Sequence, residues 1–346
     1  MILSFGAIVV STHPVLVEVY RGQAVESQHR GSVAVLDADG RTVLALGDIE
    51  TPVFPRSAVK AFQALPLVES GIADRFGLTD EELALAISSH SGEARHADTA
   101  LRILKKAGQD QSCLECGAHW PSNKEAERAL AAAGQKPSAL HNNCSGKHSG
   151  FICLACGLEE DPKGYIKPDH RVQKEIRAAG EEITGFHVRE EWTGTDGCSI
   201  PTYAVPLKNL ALGFARLGTG AGLKPERAKA AARLRQAAAA HPFMVAGTGR
   251  LDTVAMEIFG ARLFVKTGAE GVYCAALPEH GLGIALKADD GETRASQAML
   301  AGIVHRFLTM SEDERRAFDA KAWPTLTNWN GMTVGSVKPT SALTGA

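Results

Sequence analysis

Short segments near both ends of the chain alternate between apolar and other side chains. They are rich in Val, Leu and Ile, and this two-residue period predicts β-strands. The predicted strands cover 15–20, 31–36, 42–46, 262–266, 271–277 and 282–287. The pair Asp39-Gly40, between the second and third segments, is typical of a hairpin turn. The apolar stretch 1–10 predicts one more strand, whereas the tail after Trp323 is irregular and is expected to contribute only surface packing.

Between these strand segments the apolar residues recur at the spacing of an amphipathic helix. Predicted helices cover 58–68, 81–87, 97–107, 124–133, 224–240 and 292–307. Thr79 and Glu82 have the spacing of a capping box, which predicts the start of the second helix. The pattern therefore predicts an α+β fold, with one antiparallel sheet formed from both chain ends and an inserted helical region. We expect a single domain over 1–346, with a sheet lobe at about 1–56 and 250–346 and a helical lobe at about 57–249.

Composition narrows the class of partner. The chain has 346 residues, a formal net charge of −2 and 6% aromatic residues. A charge near zero argues against nucleic acid and anionic membranes as partners, and few aromatic residues argue against base stacking. No apolar run is long enough to span a bilayer, and no basic residue precedes the N-terminal apolar stretch. We expect a cytoplasmic protein that acts on a small molecule.

Ser57 and Lys60 form a Ser-x-x-Lys motif at the start of the first predicted helix. This spacing places both side chains on one helix face, where the helix dipole and free N–H groups stabilise an anionic oxygen. A lysine acts as a base only when burial or a second cation lowers its pKa. Lys266, in Lys266-Thr-Gly at the end of a predicted strand, is a candidate for that cation. The combination favours Ser57 as a nucleophile, and the alternative is an ordinary helix start and an ordinary strand end.

Two polar segments lie between these motifs in the sequence. Ser88-Ser-His-Ser-Gly-Glu93 contains hydroxyls, an imidazole and a carboxylate that can relay protons, although a plain loop after a helix explains it equally well. His141-Asn-Asn-Cys-Ser-Gly-Lys-His-Ser-Gly150 has no large apolar side chain, which favours a site loop over a surface loop. It is not a phosphate-binding loop, because His141 replaces the first Gly and His148 replaces the required Ser or Thr.

A third segment, 241–252, follows a predicted helix and contains Gly247 and Gly249. Its backbone amides, Arg250 or Asp252 are candidates for holding a polar zwitterionic ligand. The alternative interpretation is a helix-to-strand connection with a structural ion pair.

Seven cysteines in a chain without a recognisable secretion signal predict reduced thiols or a metal site, not a disulfide framework. The Cys-x-x-Cys pairs at 113–116 and 153–156 are far apart in sequence, and an apolar stretch surrounds the second, so both are interpreted as core cysteines. Cys144 and Cys198 lie in polar, Gly-containing segments. They are predicted to be exposed loop thiols that can bind a soft metal such as zinc.

Together, these segments resemble the L-asparaginase II family, also described as Rhizobium-type or class 3 asparaginases. The resemblance covers about 17–307 and rests on 55–60, 89–93, 141–150, 196–198, 241–249 and 265–271. It implies a serine β-lactamase-like or penicillin-binding-protein-like fold, a single catalytic domain and a homodimer. It also implies hydrolysis of L-asparagine to aspartate and ammonia by two pairs, Ser57 with Lys60 and Ser89 with Lys266.

The resemblance further implies a Zn²⁺ site formed by Cys144, Lys147 and Cys198, with Asp196 near the water of the metal. The lysine would have to bind as the neutral amine. The implied substrate-binding residues are Arg56, Glu93, His148 and Gly247.

Three alternatives stay open at this point. A glutaminase differs from an asparaginase by one methylene of substrate, which a pocket discriminates by only about 10- to 200-fold. Another Ser-x-x-Lys acylase, directed at β-lactams or D-Ala-D-Ala, is disfavoured by the missing signal peptide and the missing Ser-x-Asn motif. A non-catalytic zinc-binding module predicts unfolding on metal removal and no hydrolysis.

Overall fold

Strands from both ends of the chain share one antiparallel sheet in the computed structural model, which describes residues 13–345. The strand predicted at 1–10 lies outside the described residues. The strands are β1 (Val15–Arg21), β2 (Ala24–Asp37), β3 (Thr42–Leu46), β4 (Pro52–Val53), β5 (Thr193–Thr195), β6 (Pro201–Tyr203), β7 (Val205–Pro206), β8 (Phe264–Thr267), β9 (Val272–Leu277), β10 (Leu282–Ala288), β11 (Thr325–Thr327) and β12 (Thr333–Pro339).

The sheet has the order β11-β12-β1-β2-β10-β9-β8, and β3 also pairs with β2. Strand β2 is long enough for its two halves to pair with different strands. Its first half pairs with β1, and its second half pairs with β10 and β3. The predicted antiparallel sheet assembled from both chain ends, and with it the α+β class, is confirmed. The proposed boundaries of the two lobes stay a prediction.

The prediction for the chain after Trp323 was wrong, because β11 and β12 extend the sheet there. Val17 pairs with Pro339 and Arg21 pairs with Gly335 along the β1–β12 ladder. A Cβ at position 335 would lie 1.9 Å from the carbonyl oxygen of Tyr20, so a glycine permits this close approach. The segment is too polar for hydrophobic alternation to reveal it, and its pairing with β1 supplies what its own pattern lacks.

The helices occupy mainly the middle of the chain. They are α1 (Lys60–Gln63), α2 (Leu65–Glu69), α3 (Ile72–Arg75), α4 (Asp80–Ala86), α5 (Ala94–Lys106), α6 (Lys124–Ala132), α7 (Ser145–Gly157), α8 (Arg171–Thr184), α9 (Leu207–Thr219), α10 (Pro225–Ala240), α11 (Pro242–Ala246), α12 (Leu251–Phe259), α13 (Thr293–Phe307), α14 (Glu312–Ala322) and α15 (Ser341–Thr344). The capping box of Thr79 and Glu82 is present at the start of α4, as predicted.

The helix predicted over 58–68 is divided. A 3-10 turn over Arg56–Val59 precedes α1, and α2 follows after Ala64. Pro66 has no N–H to continue the hydrogen-bond ladder, which explains the break between α1 and α2.

Helices α9 and α13 both pack against β9 and β10, and every residue of β9 is buried, so both faces of the sheet are covered. Gly283 of β10 lets α9 approach closely, because a Cβ there would lie 1.9 Å from the carbonyl oxygen of Ala211. Among the helices of residues 13–345, none combines the length and apolar character that crossing a membrane requires.

Candidate active site

A polar cavity of about 420 Å³ lies where the helical region meets the end of β8. Its wall combines the turn after β4, the loop after α4, the residues just before α7 and the loop after β8. The lining residues are Arg56, Ser57, Ser89, His90, His119, Ser122, Asn142, Asn143, Cys144, Asp196, Gly197, Cys198, Arg250, Thr267, Gly268 and Ala269. Motifs that are distant in sequence therefore share one cavity.

Ser89 lies between two buried lysines at this wall. Lys266 Nζ is 2.8 Å from Ser89 Oγ, and Lys60 Nζ is 3.0 Å from the same oxygen. Lys60 also donates to the carbonyl oxygen of Ser88 at 2.6 Å, and Lys266 donates to that of Thr267 at 2.9 Å. The lysines are 1% and 0% exposed, so both are removed from bulk water.

Burial disfavours the charged form of both amines and lowers both pKa values. The pKa of Lys266 falls from 10.5 to about 7, with the nearby charge of Lys60 adding to the effect of burial. A substantial fraction of Lys266 is therefore neutral near pH 7 and can accept a proton.

Ser57 lies on the cavity wall, but no hydrogen bond within 3.5 Å joins it to Lys60 in the described part of the chain. It belongs to the 3-10 turn, not to the first turn of an α-helix as predicted. The preceding residue, Arg56, has a left-handed φ of +51°, a backbone conformation that is uncommon for residues other than glycine. Arg56 is fixed there by an ion pair with Asp196, whose nearest N–O distance is 2.6 Å.

The Lys266-Thr-Gly motif has a structural explanation at its glycine. A Cβ at Gly268 would lie 2.6 Å from the carbonyl oxygen of Pro55, so the glycine lets the end of β8 contact the chain just before Ser57. The carboxylate of Asp252 accepts from the Thr267 N–H at 2.8 Å and from the Tyr273 hydroxyl. These contacts hold the backbone that carries Lys266.

Cys144, Lys147 and Cys198 come together beside the cavity, as the resemblance implies. Lys147 Nζ is 3.1 Å from Cys198 Sγ, and the two thiols share a hydrogen bond. The prediction that the thiols are exposed was wrong, because each cysteine is only 4% exposed, although both line the cavity. Cys144 immediately precedes α7. Gly146 in the first turn of α7 packs against Leu85, and a Cβ at position 146 would lie 2.3 Å from the carbonyl oxygen of Leu85.

Two thiols and one amine form a donor set that suits zinc. The hydrogen bond from Cys198 outweighs burial and, with the charges of Lys60 and Lys147, lowers the pKa of Cys144 well below its usual range. Within residues 13–345 no group of three or more His, Cys, Asp or Glu side chains is arranged to hold a metal. Lys147 supplies the amine of this cluster beside the two cysteines, and Asp196 lies on the adjoining wall.

Asp196 is held as a carboxylate. Burial favours its neutral form, but the hydrogen bond from Arg56 and the charge of Lys147 together lower its pKa. The hydrogen bonds that the described residues donate to its carboxylate all go to Oδ1, from the Arg56 guanidinium and from the Gly197 N–H.

Three predicted substrate-binding residues are not part of the cavity wall. His148 is fully buried and its Nδ1 is 2.6 Å from the Tyr165 hydroxyl. Glu93 accepts hydrogen bonds from Ser91 and Thr248. Gly247 packs against the same segment, so that a Cβ there would lie 1.9 Å from Ser91 Oγ.

Several lining residues were not predicted from the sequence. His119 accepts from the Asn143 N–H at 2.9 Å through Nε2, while its Nδ1 is 2.7 Å from the carbonyl oxygen of Trp120. Asn142 Oδ1 accepts a hydrogen bond from the Cys144 N–H at 2.8 Å. No periodicity or motif marks His119, whereas Asn142 and Asn143 lie inside the polar segment that the sequence singled out.

The model of the L-asparaginase II family matches residues 17–339 of the chain. Among curated proteins, no sequence matches the chain.

Solved structures show only distant likenesses. A structure of Mglu has 18% identity and a TM-score of 0.35, covering 76% of this chain and 62% of that chain. A β-lactamase from Mycobacterium bovis has 12% identity and a TM-score of 0.35, covering 84% and 94%. The LovD6 mutant of simvastatin synthase from Aspergillus terreus has 12% identity and a TM-score of 0.41, covering 84% and 91%.

The chain thus spans about three fifths of the length of Mglu. With TM-scores below 0.5, these structures are too distant to assign the fold, and the α+β assignment rests on the sheet topology of the chain itself.

Proposed function

Because the chain belongs to the L-asparaginase II family and is therefore an amidohydrolase, we propose that it hydrolyses the side-chain amide of L-asparagine to L-aspartate and ammonia. The observation that carries the proposal is the Ser89 hydroxyl held by two buried lysines, at 2.8 and 3.0 Å, on the wall that also carries Ser57. Such a cluster contains both a nucleophile and groups that can accept and return its proton.

In the proposed mechanism, the neutral amine of Lys60 takes the proton of Ser57, and Ser57 Oγ attacks the side-chain amide carbon. A β-aspartyl ester forms as the C–N bond breaks, and Ser89 with Lys266 delivers the proton that the departing ammonia requires. Water then attacks the ester, the same groups act in reverse, and aspartate leaves. The Ser57 and Lys60 side chains must approach each other when substrate binds, as catalytic hydrogen bonds often tighten only in the substrate complex.

We include Zn²⁺ in the proposal, held by Cys144, Lys147 and Cys198. A zinc ion there would supply a positive charge at the cavity edge and tie the start of α7 to the loop carrying Cys198. Lys147 must lose its proton to bind. In the metal-free protein burial lowers its pKa, but the neighbouring charges of Cys144, Cys198 and Asp196 together outweigh burial and raise it. Zinc affinity should therefore rise with pH.

The test compares ammonia release from L-asparagine and from L-glutamine by the wild type, Ser57→Ala and Ser89→Ala. We expect the wild type to act on asparagine and Ser57→Ala to lose at least about 10⁴-fold in kcat, the scale expected when a serine nucleophile is removed. Ser88→Ala is the matched control, since its buried hydroxyl has no hydrogen-bond partner among the described residues and lies beside Ser89.

Rapid-quench peptide mapping then locates the β-aspartyl ester. An ester on the peptide that contains Ser57 supports the proposed division of roles. An ester on the Ser89 peptide, together with an active Ser57→Ala variant, would reverse the roles of the two serines. No ammonia from asparagine with folded, zinc-loaded wild type would refute the proposed substrate.

A further inference from the structure

Arg250 brings a free guanidinium to the cavity wall. It is half-buried, and in residues 13–345 it takes part in no ion pair and donates no side-chain hydrogen bond. The other guanidinium of the wall, that of Arg56, is bound to Asp196 through Nε at 2.7 Å and a terminal nitrogen at 2.6 Å. Among the described lining residues, Arg250 therefore remains the arginine with all its donors available.

The charge around the cavity favours an anionic group near Arg250. Asp196 is the carboxylate among the lining residues, and Arg56 already neutralises it. Lys60 and Lys266 lie behind the wall and direct their amines at Ser89. A guanidinium presents paired N–H donors that match the two oxygens of a carboxylate.

A fixed turn positions Arg250 at the start of α12. Gly247 has a φ of +108° and is held by the Thr253 hydroxyl, which donates to its carbonyl oxygen at 2.7 Å. The carboxylate of Glu93 accepts from Thr248 through the backbone N–H at 2.9 Å and the hydroxyl at 2.7 Å. Glu93 and Gly247, for which the family resemblance implies substrate binding, thus fix the segment that precedes Arg250.

We propose that Arg250 binds the α-carboxylate of the amino acid substrate, with Glu93 as a positioning residue for it. The inference rests on the proposed function and adds a specificity to it. The enzyme acts on asparagine with a free α-carboxylate and discriminates against asparagine whose carboxylate is amidated or joined to a following residue. The side-chain amide is then directed away from Arg250, towards the serines.

The experiment measures kcat/KM for L-asparagine and for L-asparaginamide, which carries an amide in place of the α-carboxylate. Side-chain hydrolysis of the second compound is followed by chromatography of its product. We expect Arg250→Met to lower kcat/KM for asparagine by about 100-fold, mainly through KM, and to change that for asparaginamide by less than about 3-fold. Arg250→Lys, which keeps the charge but not the planar pair of donors, should fall between.

Two controls separate this effect from general damage. Arg56→Met removes the paired arginine of the same wall and should lower activity on both compounds alike. Glu93→Gln should weaken discrimination in the same direction as Arg250→Met, with unchanged thermal unfolding measured by circular dichroism. Equal losses on both compounds with Arg250→Met would overturn the inference.

A wild type that hydrolyses neither compound refutes the proposed function directly. The Arg250 inference is then decided by calorimetry in the Ser57→Ala background. Binding of L-asparagine that exceeds binding of asparaginamide, and that disappears with Arg250→Met, supports it. Equal or absent binding of the two compounds overturns it.

Discussion

The titration of buried Lys266 offers a direct test of the electrostatics of the site. Burial lowers its pKa from 10.5 to about 7, with a contribution from the charge of Lys60. One pKa unit corresponds to about 1.4 kcal/mol, so this lowering represents about 5 kcal/mol of preference for the neutral form in the folded protein. Lys266→Met removes the titrating group while keeping an unbranched side chain of similar length.

The sign follows from proton binding. Between about pH 7 and 10.5 the unfolded chain binds a proton at Lys266 and the folded chain does not, so the free energy of unfolding rises with pH in this window. Below about pH 7 both states are protonated, and the folded state carries the full cost of the buried charge. From pH 7.5 to 9.5 the stability of the wild type should rise by about 2 to 3 kcal/mol relative to Lys266→Met.

Urea unfolding of both proteins across this pH range measures the difference, and other titrating groups cancel because both proteins contain them. Lys105→Met, at an exposed position of α5, is the control and should show no such trend relative to the wild type. A difference that stays flat between pH 7.5 and 9.5 would show that Lys266 does not titrate there. Because Lys266 with Ser89 delivers a proton in the proposed mechanism, kcat/KM should also fall as the pH rises through about 7.

Three further outcomes follow from the structure. Cys144→Ser and Cys198→Ser should each lose the zinc that the wild type retains, as measured by elemental analysis after dialysis, and metal retention equal to wild type would contradict the assignment of these ligands. Gly146→Ala should destabilise the protein by about 2 kcal/mol or more in urea unfolding, because its Cβ would lie 2.3 Å from the carbonyl oxygen of Leu85; an unchanged midpoint would mean that α7 shifts freely. Asp252→Asn should cost about 2 to 4 kcal/mol, since the buried carboxylate accepts from Thr267 and Tyr273, and a smaller loss would indicate that the amide restores both contacts.

Hydrophobic periodicity predicted most of the sheet because its central strands are buried on one or both faces. The exceptions include β11 and β12 after Trp323. In β12, Gly335 and Ser336 separate the two valines, and its pairing with β1 depends on contacts made only after folding. The break between α1 and α2 was also missed, although Pro66 marks it in the sequence.

At the site, the residue types predicted which groups take part more reliably than they predicted which groups contact each other. The sequence indicated Ser89, Lys266 and the thiols of Cys144 and Cys198, and the structure brings them to one cavity. It did not indicate that Lys60 bonds to Ser89 and not to Ser57, because helical spacing assumed a regular helix where the chain forms a 3-10 turn. The homodimer and the cytoplasmic location stay predictions.

The position of His119 at the cavity could not be predicted from sequence patterns. Its contact with the Asn143 backbone arises because two loops from different parts of the chain meet at the cavity. Neither loop has a period that fixes its path, and a single histidine in a polar segment has many possible environments.

The pairing of β1 with β12 also governs how the molecule reaches its native state. Val17 must find Pro339, and the second half of β2 must find β10, so the central ladders close only after nearly the whole chain has been synthesised. Loop closure over such separations slows folding. Until then the β1–β2 hairpin presents two unpaired backbone edges, which can pair with another incomplete chain. Refolding is therefore expected to be slow, and its yield should fall as protein concentration rises.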